Sequence, residues 1–184
     1  MSEIASRGQL RAAWWRWVLV LVPGHLLLGF LSARGSGSGP ASGWFMVLAK
    51  PGLYPPPVVF PLVWSLLYVL MALALAHVAM ARSAPGRGAA IIAYGVQLVL
   101  NLAWSPVFFG LHRISWALGV IGALALVLAI TVALFARVRP LAALLLAPYL
   151  AWVLFAGLLN WQFLALNPVA DGQPSGVPAV RLQI

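Results

Sequence analysis

The alternation of apolar and polar segments divides this chain into five long hydrophobic runs. A helix of about 20 apolar residues crosses the roughly 30 Å of hydrocarbon in a bilayer. The runs therefore predict five transmembrane helices, over residues 12–33, 58–81, 89–109, 115–136 and 141–166. Residues 34–57 contain many Gly, Ser and Pro residues and are too long for a simple connection, so they are expected to form a functional loop or lid.

Polar side chains enter the third run on one helical face only. Gln97, Asn101, Trp104 and Phe108 fall within an arc of about 60° at 100° per residue. Because an amide that faces lipid costs several kcal/mol, this face must point into the bundle. The pattern indicates either a seam between helices or the wall of a pocket, and helical periodicity does not choose between the two.

The ends and the long loop carry further predictions. Pro23-Gly24-His25 within the first run favours a retained helix over a cleaved signal peptide. Residues 44–50 are expected to form a short helix along the membrane surface. Three consecutive prolines at 55–57 predict an extended approach to the second span. The tail over residues 167–184 is rich in Pro, Gly and Ser and is expected to fray.

Composition agrees with a membrane protein. The 184 residues are 64% hydrophobic and 7% charged, whereas a soluble domain carries about 25% charged residues. The expected fold is a single all-α integral membrane domain spanning residues 1–184. Eleven Lys and Arg residues oppose two acidic ones, but the cations occur singly or in pairs between apolar runs. That spacing is typical of loop anchors in a bilayer and does not favour nucleic-acid binding.

The cations also predict an orientation. Seven lie on the side of the N-terminus and four on the other side, which favours a cytoplasmic N-terminus by the positive-inside rule. The first group is Arg7, Arg11, Arg16, Arg82, Arg87, Arg137 and Arg139, and the second is Arg34, Lys50, Arg113 and Arg181. A composition rich in Ala, Arg and Gly favours a bacterial cell membrane.

The residues offer little to a conventional enzyme. The predicted spans contain no carboxylate, so paired acid–base chemistry is not expected there. His25, His77 and His112 lie on different segments, there is no cysteine, and no metal site is predicted. Tryptophans within three spans, Trp64, Trp104 and Trp152, fit either a pocket for a flat apolar ligand such as a tetrapyrrole or sterol, or aromatic packing between helices.

Five ordered motifs then identify a family. They are Trp44…Lys50-Pro51 with Pro55-Pro56, VFPLVW at 59–64 with Tyr68, QLVLNLAWSPVFFG at 97–110, PYLAW at 148–152, and LNW at 159–161 ahead of Asn167-Pro168. Over residues 20–168 the chain resembles the TspO family, the tryptophan-rich sensory proteins and translocator proteins, also called peripheral benzodiazepine receptors.

The resemblance implies a five-helix bundle, commonly a homodimer, with a ligand cavity near the first loop. Its members bind porphyrins such as protoporphyrin IX and haem, cholesterol and benzodiazepine-type ligands, and require no cofactor. The expected function is a membrane receptor or sensor for tetrapyrroles, with a porphyrin or sterol transporter as the alternative. If light-dependent porphyrin degradation occurs, Trp64 and Trp152 match the residues that carry it in the family.

The predicted ligand-binding set follows mainly from the resemblance. Matching positions on the spans are Trp64, Tyr68, Asn101, Trp104, Phe108, Trp116, Ala123, Trp152, Ala156 and Leu159. Trp44 in the loop and Asn160 on the fifth span complete the set. The sterol-recognition pattern of the fifth helix is altered, because Trp161 and Ala165 stand where the family has a Tyr and a cation. Sterol binding at that position is therefore not expected.

Overall fold

The computed structural model describes residues 7–39 and 42–173 of the chain. The described residues form an all-α structure, as the sequence predicts. Its helices are α1 (Arg7–Gly35), α2 (Gly43–Val47), α3 (Val59–Met80), α4 (Arg87–Ser105), α5 (Ile114–Val138) and α6 (Pro140–Leu166), with a π-helical turn at Pro106–Gly110 and a 3₁₀ turn at Pro168–Ala170. All but α2 are long and apolar enough to cross a membrane, with the π-helical turn completing the span of α4.

The five long helices form a bundle in which α1 packs against α3, α3 against α6, α6 against α5, and α5 against α4. Its centre is filled by side chains that are fully buried, including Met71, Leu128, Leu146 and Tyr149. Large apolar side chains such as Leu62 and Leu144 remain exposed on the outer surface. In a bilayer that surface contacts lipid chains, so it carries no hydrophobic penalty.

Prolines set two of the helix ends. Pro140 occupies the first turn of α6, where its missing N–H is not needed. Pro106 ends α4, and the N–H of Leu111 donates to the Pro106 carbonyl at 2.9 Å to close the π-helical turn. The third predicted span thus continues through Gly110, and the chain reverses at His112, whose φ is +55°.

The loop and the tail differ from the prediction. α2 is shorter than residues 44–50, and Trp44 and Phe45 are buried against Phe108. The start of the tail is ordered, because Ala170 is buried and the N–H of Gly172 donates to the His112 carbonyl at 2.7 Å. These contacts hold the start of the tail in place, and they could not be predicted from the composition of the tail. Residues 174–184 lie outside the described part of the chain.

Candidate ligand cavity

A cavity of about 600 Å³ lies at the end of the bundle that α2 covers. This volume is within the range of small-molecule sites, about 300–1,000 Å³. α1, α3, α4 and α6 form its walls, the loop with α2 forms its cover, and α5 contributes no lining residue. The lining is largely apolar and aromatic, and its rings are Phe30, Phe45, Tyr54, Phe60, Trp64, Tyr68, Trp104, Phe108, Phe109 and Phe163.

The polar face of α4 is divided between the cavity and a helix seam. Asn101, Trp104 and Phe108 line the cavity, and the rings of Trp104 and Phe108 stack with centroids 5.0 Å apart. Gln97 lies below the cavity in the core, where its Oε1 accepts a hydrogen bond from the Tyr149 hydroxyl at 3.0 Å. The two alternatives left by helical periodicity are therefore both present on one face.

The amides that line the cavity are engaged with other helices. Asn160 Oδ1 accepts from the Trp104 indole N–H at 3.0 Å, and its Nδ2 donates to the Ile114 carbonyl at 2.9 Å. Asn101 Oδ1 accepts from the Tyr68 hydroxyl at 2.8 Å. These bonds join α4 to α3 and α6, and α6 to α5. The amides thus fix the positions of the aromatic rings, and the Nδ2 of Asn101 is left to donate to a ligand.

A glycine makes room for the α3 wall. A Cβ on Gly29 of α1 would overlap the Tyr68 ring, lying 2.5 Å from Cζ and closer still to Cε2. Trp64 precedes Tyr68 by one turn, and their ring centroids are 5.7 Å apart. Close approach of α1 and α3 therefore needs a residue without a side chain at position 29.

The proline of the SPVFFG motif helps to close the wall between α1 and α4. Pro106 has no N–H, so the carbonyl of Leu102, four residues earlier, lacks its helical partner. Ser32 Oγ on α1 donates to that carbonyl at 2.7 Å. One turn further, the hydroxyls of Ser36 and Ser105 are 2.9 Å apart. A break in one helix is thus compensated by a neighbouring helix.

Lys50 holds the cover in shape. Its Nζ donates to the carbonyl oxygens of Phe45 and Leu48 and lies 4.4 Å from the centroid of the Phe45 ring. A cation at the C-terminal end of α2 also complements the helix dipole. Burial lowers the pKa of Lys50 below its ordinary value, and burial raises the pKa of the Tyr54 hydroxyl.

The cover is fastened to the end of α6 by one side chain. Asn167 Oδ1 accepts from the Ala49 N–H at 2.7 Å, and its Nδ2 donates to the Ala49 carbonyl at 3.0 Å. The same Nδ2 donates to the Phe163 carbonyl at 3.0 Å. Beside this contact, the Trp44 ring stacks on His112 with centroids 4.6 Å apart.

Comparison with known proteins agrees with this architecture. The sequence model of the TspO/MBR family matches residues 18–166. The chain is 41% identical to the tryptophan-rich protein TspO of Chlorobaculum tepidum over 136 residues, covering 70% of this chain and 82% of the relative. It is 39% identical to the tryptophan-rich sensory protein of Cereibacter sphaeroides (77% and 91% covered) and 38% identical to the translocator protein of Sus scrofa (77% and 83% covered). The chain belongs to the TspO/MBR family. It is accordingly a multi-pass membrane protein.

Most residues of the predicted ligand-binding set line the cavity. Those in the lining are Trp64, Tyr68, Asn101, Trp104, Phe108, Ala156, Leu159 and Asn160. Trp44 is 2% exposed and lies behind Phe108, one layer away from the cavity. Trp152 also lies outside the lining and contacts it through the ring of Phe60, with centroids 5.9 Å apart.

Two residues of α5 lie away from the cavity. The buried face of α5 carries Ala117, Ile121, Leu124 and Leu128, and Trp116 and Ala123 lie about 100° or more from that face. Both are exposed, and the Arg113 guanidinium sits over the Trp116 ring at 5.2 Å. The structure therefore separates them from the other members of the predicted set.

Other lining residues escaped the sequence-based prediction. Phe45, Phe60 and Phe163 were not selected, although their rings form part of the wall and cover. Gly29 and Ser32 of α1 were also missed. A phenylalanine in an apolar run carries no polar signal, and the stacking of Tyr54 on Phe60 at 5.3 Å depends on how the loop folds over α3.

Proposed function

We propose that this protein is a membrane receptor or sensor that binds tetrapyrroles in the cavity beneath the long loop. The supporting observation is the combination of a volume of about 600 Å³ with a largely apolar lining that contains ten aromatic rings. A flat apolar macrocycle gains affinity from burial and from stacking on such rings. Relatives named tryptophan-rich sensory proteins fit the same role.

The polar edge of the ligand would meet one amide group and two hydroxyl groups. Asn160 hydrogen-bonds within the protein through both its Oδ1 and its Nδ2, whereas Asn101 does so through its Oδ1 only. The hydroxyls of Tyr54 and Ser65 also line the cavity and bond to none of the described residues. Propionate or carbonyl groups near the cover would therefore be oriented by the loop and the start of α3.

A dark titration of the purified protein with protoporphyrin IX tests this function. Substitution of Trp64→Leu removes one lining ring and should raise Kd about 2- to 12-fold, the equivalent of about 0.5–1.5 kcal/mol for an aromatic contact. Trp116→Leu is the matched control, because Trp116 is exposed and outside the lining. Equal Kd values for the two variants, read from the porphyrin absorption band, would exclude this cavity as the binding site.

Light-driven breakdown of a bound porphyrin is a second candidate. It requires an oxidisable ring beside the photosensitiser, and Trp64 lies in the wall with Tyr149 at 6.2 Å between centroids. Trp152, the other tryptophan of this hypothesis, has its indole N–H buried without a hydrogen-bond partner and lies behind Phe60. Illumination of the complex in air should bleach the porphyrin band faster than with free porphyrin. If the rates are equal, degradation is not a function of this protein.

Transport of porphyrins or sterols is the alternative, favoured by the relatives named translocator proteins. Flux into proteoliposomes above protein-free controls would support it.

We also propose a cytoplasmic N-terminus in a bacterial cell membrane and a homodimeric assembly. Because the chain has no cysteine, single cysteines introduced at Arg11 and Arg113 would report the two sides of the membrane by labelling of intact cells.

A further inference from the structure

A second concave site lies at the end of the bundle opposite the cavity. It is a groove of about 410 Å³ between α1, the end of α3 and the start of α6. Its lining is Trp14, His77, Met80, Arg139, Pro140 and Leu141. We call these residues the α6 groove. None of them belongs to the lining of the ligand cavity, so what the groove binds is independent of the proposed function.

The α6 groove carries positive charge without an internal counter-ion. Arg139 is exposed and interacts electrostatically with His77, and its guanidinium hydrogen-bonds to none of the described residues. Asp171 is the one carboxylate in the described part of the chain, and it accepts from the Ser115 N–H near the opposite end of the bundle. Any anion that pairs with Arg139 must therefore come from outside the described residues.

Neighbouring arginines at this end behave differently. The Arg87 guanidinium donates to the carbonyl oxygens of Val78 and Ala79 at the end of α3, at 2.9–3.3 Å. Arg16 Nε donates to the Ala12 carbonyl at 3.3 Å. The Arg87 guanidinium thus completes the end of α3, and that of Arg16 is held along α1. The guanidinium of Arg139 has no such partner among the described residues and is left available to a ligand.

Further features of the α6 groove suit a phosphate group. The groove includes the first turn of a 27-residue helix, whose dipole is positive at this end. The indole N–H of Trp14 is shielded from solvent and has no hydrogen-bond partner. A phosphate or ester oxygen in the groove can accept from such a donor.

We propose that the α6 groove binds the headgroup of an anionic phospholipid. A lipid is favoured over a free phosphate ion because Met80 and Leu141 place apolar side chains beside the Arg139 guanidinium, where acyl chains would begin. The groove also lies at the ends of three spans, with Trp15 packed against Trp14 at 4.9 Å between centroids. Tryptophans and cations at this depth are typical of the headgroup region.

Native mass spectrometry of the delipidated full chain in detergent tests this assignment. The probes are dioleoylphosphatidylglycerol and, with the same acyl chains but no net charge, dioleoylphosphatidylcholine. The wild-type protein should retain the anionic lipid preferentially. Arg139→Gln should weaken that retention about fivefold, the effect of one cation near an anionic headgroup. Arg137→Gln is the matched control, because it removes the same charge from the same membrane side but lies outside the groove.

The outcomes separate the alternatives. Equal retention of the two lipids would show that headgroup charge is not recognised, and equal losses in Arg139→Gln and Arg137→Gln would show diffuse charge attraction. Either result would overturn the site. Displacement of the anionic lipid by millimolar inorganic phosphate would assign the groove to free phosphate instead. Trp14→Phe provides a second variant, with weakened retention expected because it removes the unpartnered indole N–H, and circular dichroism verifies that each variant keeps its helices.

Discussion

The indole N–H of Trp104 donates to Asn160 Oδ1 at 3.0 Å, joining α4 and α6 across 56 residues of sequence. Both residues line the cavity, and Asn160 also donates to the Ile114 carbonyl of α5. A single amide thus connects three helices and fixes the orientation of a ring in the cavity wall. Within a bilayer no water replaces such partners when one of them is lost.

Replacing Asn160→Ala should therefore destabilise the protein and disturb the wall. It leaves the Trp104 N–H unpaired and removes the link to the Ile114 carbonyl, and we expect a loss of about 1–3 kcal/mol in the free energy of unfolding. Gln162→Ala is the control, because this nearby amide has its Oε1 buried without a partner. Unfolding in detergent would compare them, and equal stabilities would contradict the role given to Asn160.

Asn167→Ala should loosen the cover while leaving the bundle intact. The substitution removes both hydrogen bonds to Ala49. Loss of about 1–1.5 kcal/mol in local stability corresponds to about tenfold faster amide exchange at Ala49. Hydrogen exchange measured by mass spectrometry over residues 44–50 checks this, with Gln173→Ala as the control because that side chain is exposed. Unchanged exchange in Asn167→Ala would show that other contacts hold the cover.

Gly29→Ala should destabilise the folded protein more than the addition of one methyl group usually does. The added Cβ overlaps the Tyr68 ring, so Tyr68 must move and its hydrogen bond to Asn101 is strained or lost. We expect a destabilisation of about 1–3 kcal/mol, the usual effect of overpacking, together with weaker porphyrin binding. Gly24→Ala on the same helix has no atom within 4 Å of the new Cβ and should be neutral or slightly stabilising. Similar melting temperatures for the two variants would refute the close approach at Gly29.

The pH dependence of stability should contain a contribution from Tyr54. Burial raises the pKa of its hydroxyl above the ordinary value, so the neutral phenol is favoured in the folded state. This contribution is complete below the unfolded pKa of about 10 and is lost as the pH rises through the higher folded pKa. Tyr54→Phe has no such group, so the wild-type protein should lose stability more steeply above about pH 10. Parallel pH profiles of the melting temperature would exclude this linkage.

Much of the architecture follows from local sequence. Five apolar runs of spanning length leave a bilayer-embedded helix bundle as the only solution that satisfies the backbone, and each span is present with shifted ends. It also follows that the polar face of α4 points into the bundle, because Gln97 and Asn101 are too polar to contact lipid. The ordered motifs add the family, which the comparisons confirm.

The tertiary structure alone decided what that inward face contacts. Periodicity places Asn101 and Gln97 on one side of α4. Only the positions of α3 and α6 place Asn101 in the cavity wall beside Tyr68 and give Gln97 a hydrogen bond from Tyr149. The positions of the neighbouring helices also explain why Trp116 lies away from the cavity. Its side of α5 is not covered by another helix, so the side chain is exposed. The cover likewise depends on Asn167, 118 residues from Ala49. Hydrophobicity acts locally and sets the helices, whereas pairings between distant residues appear only once the helices are assembled.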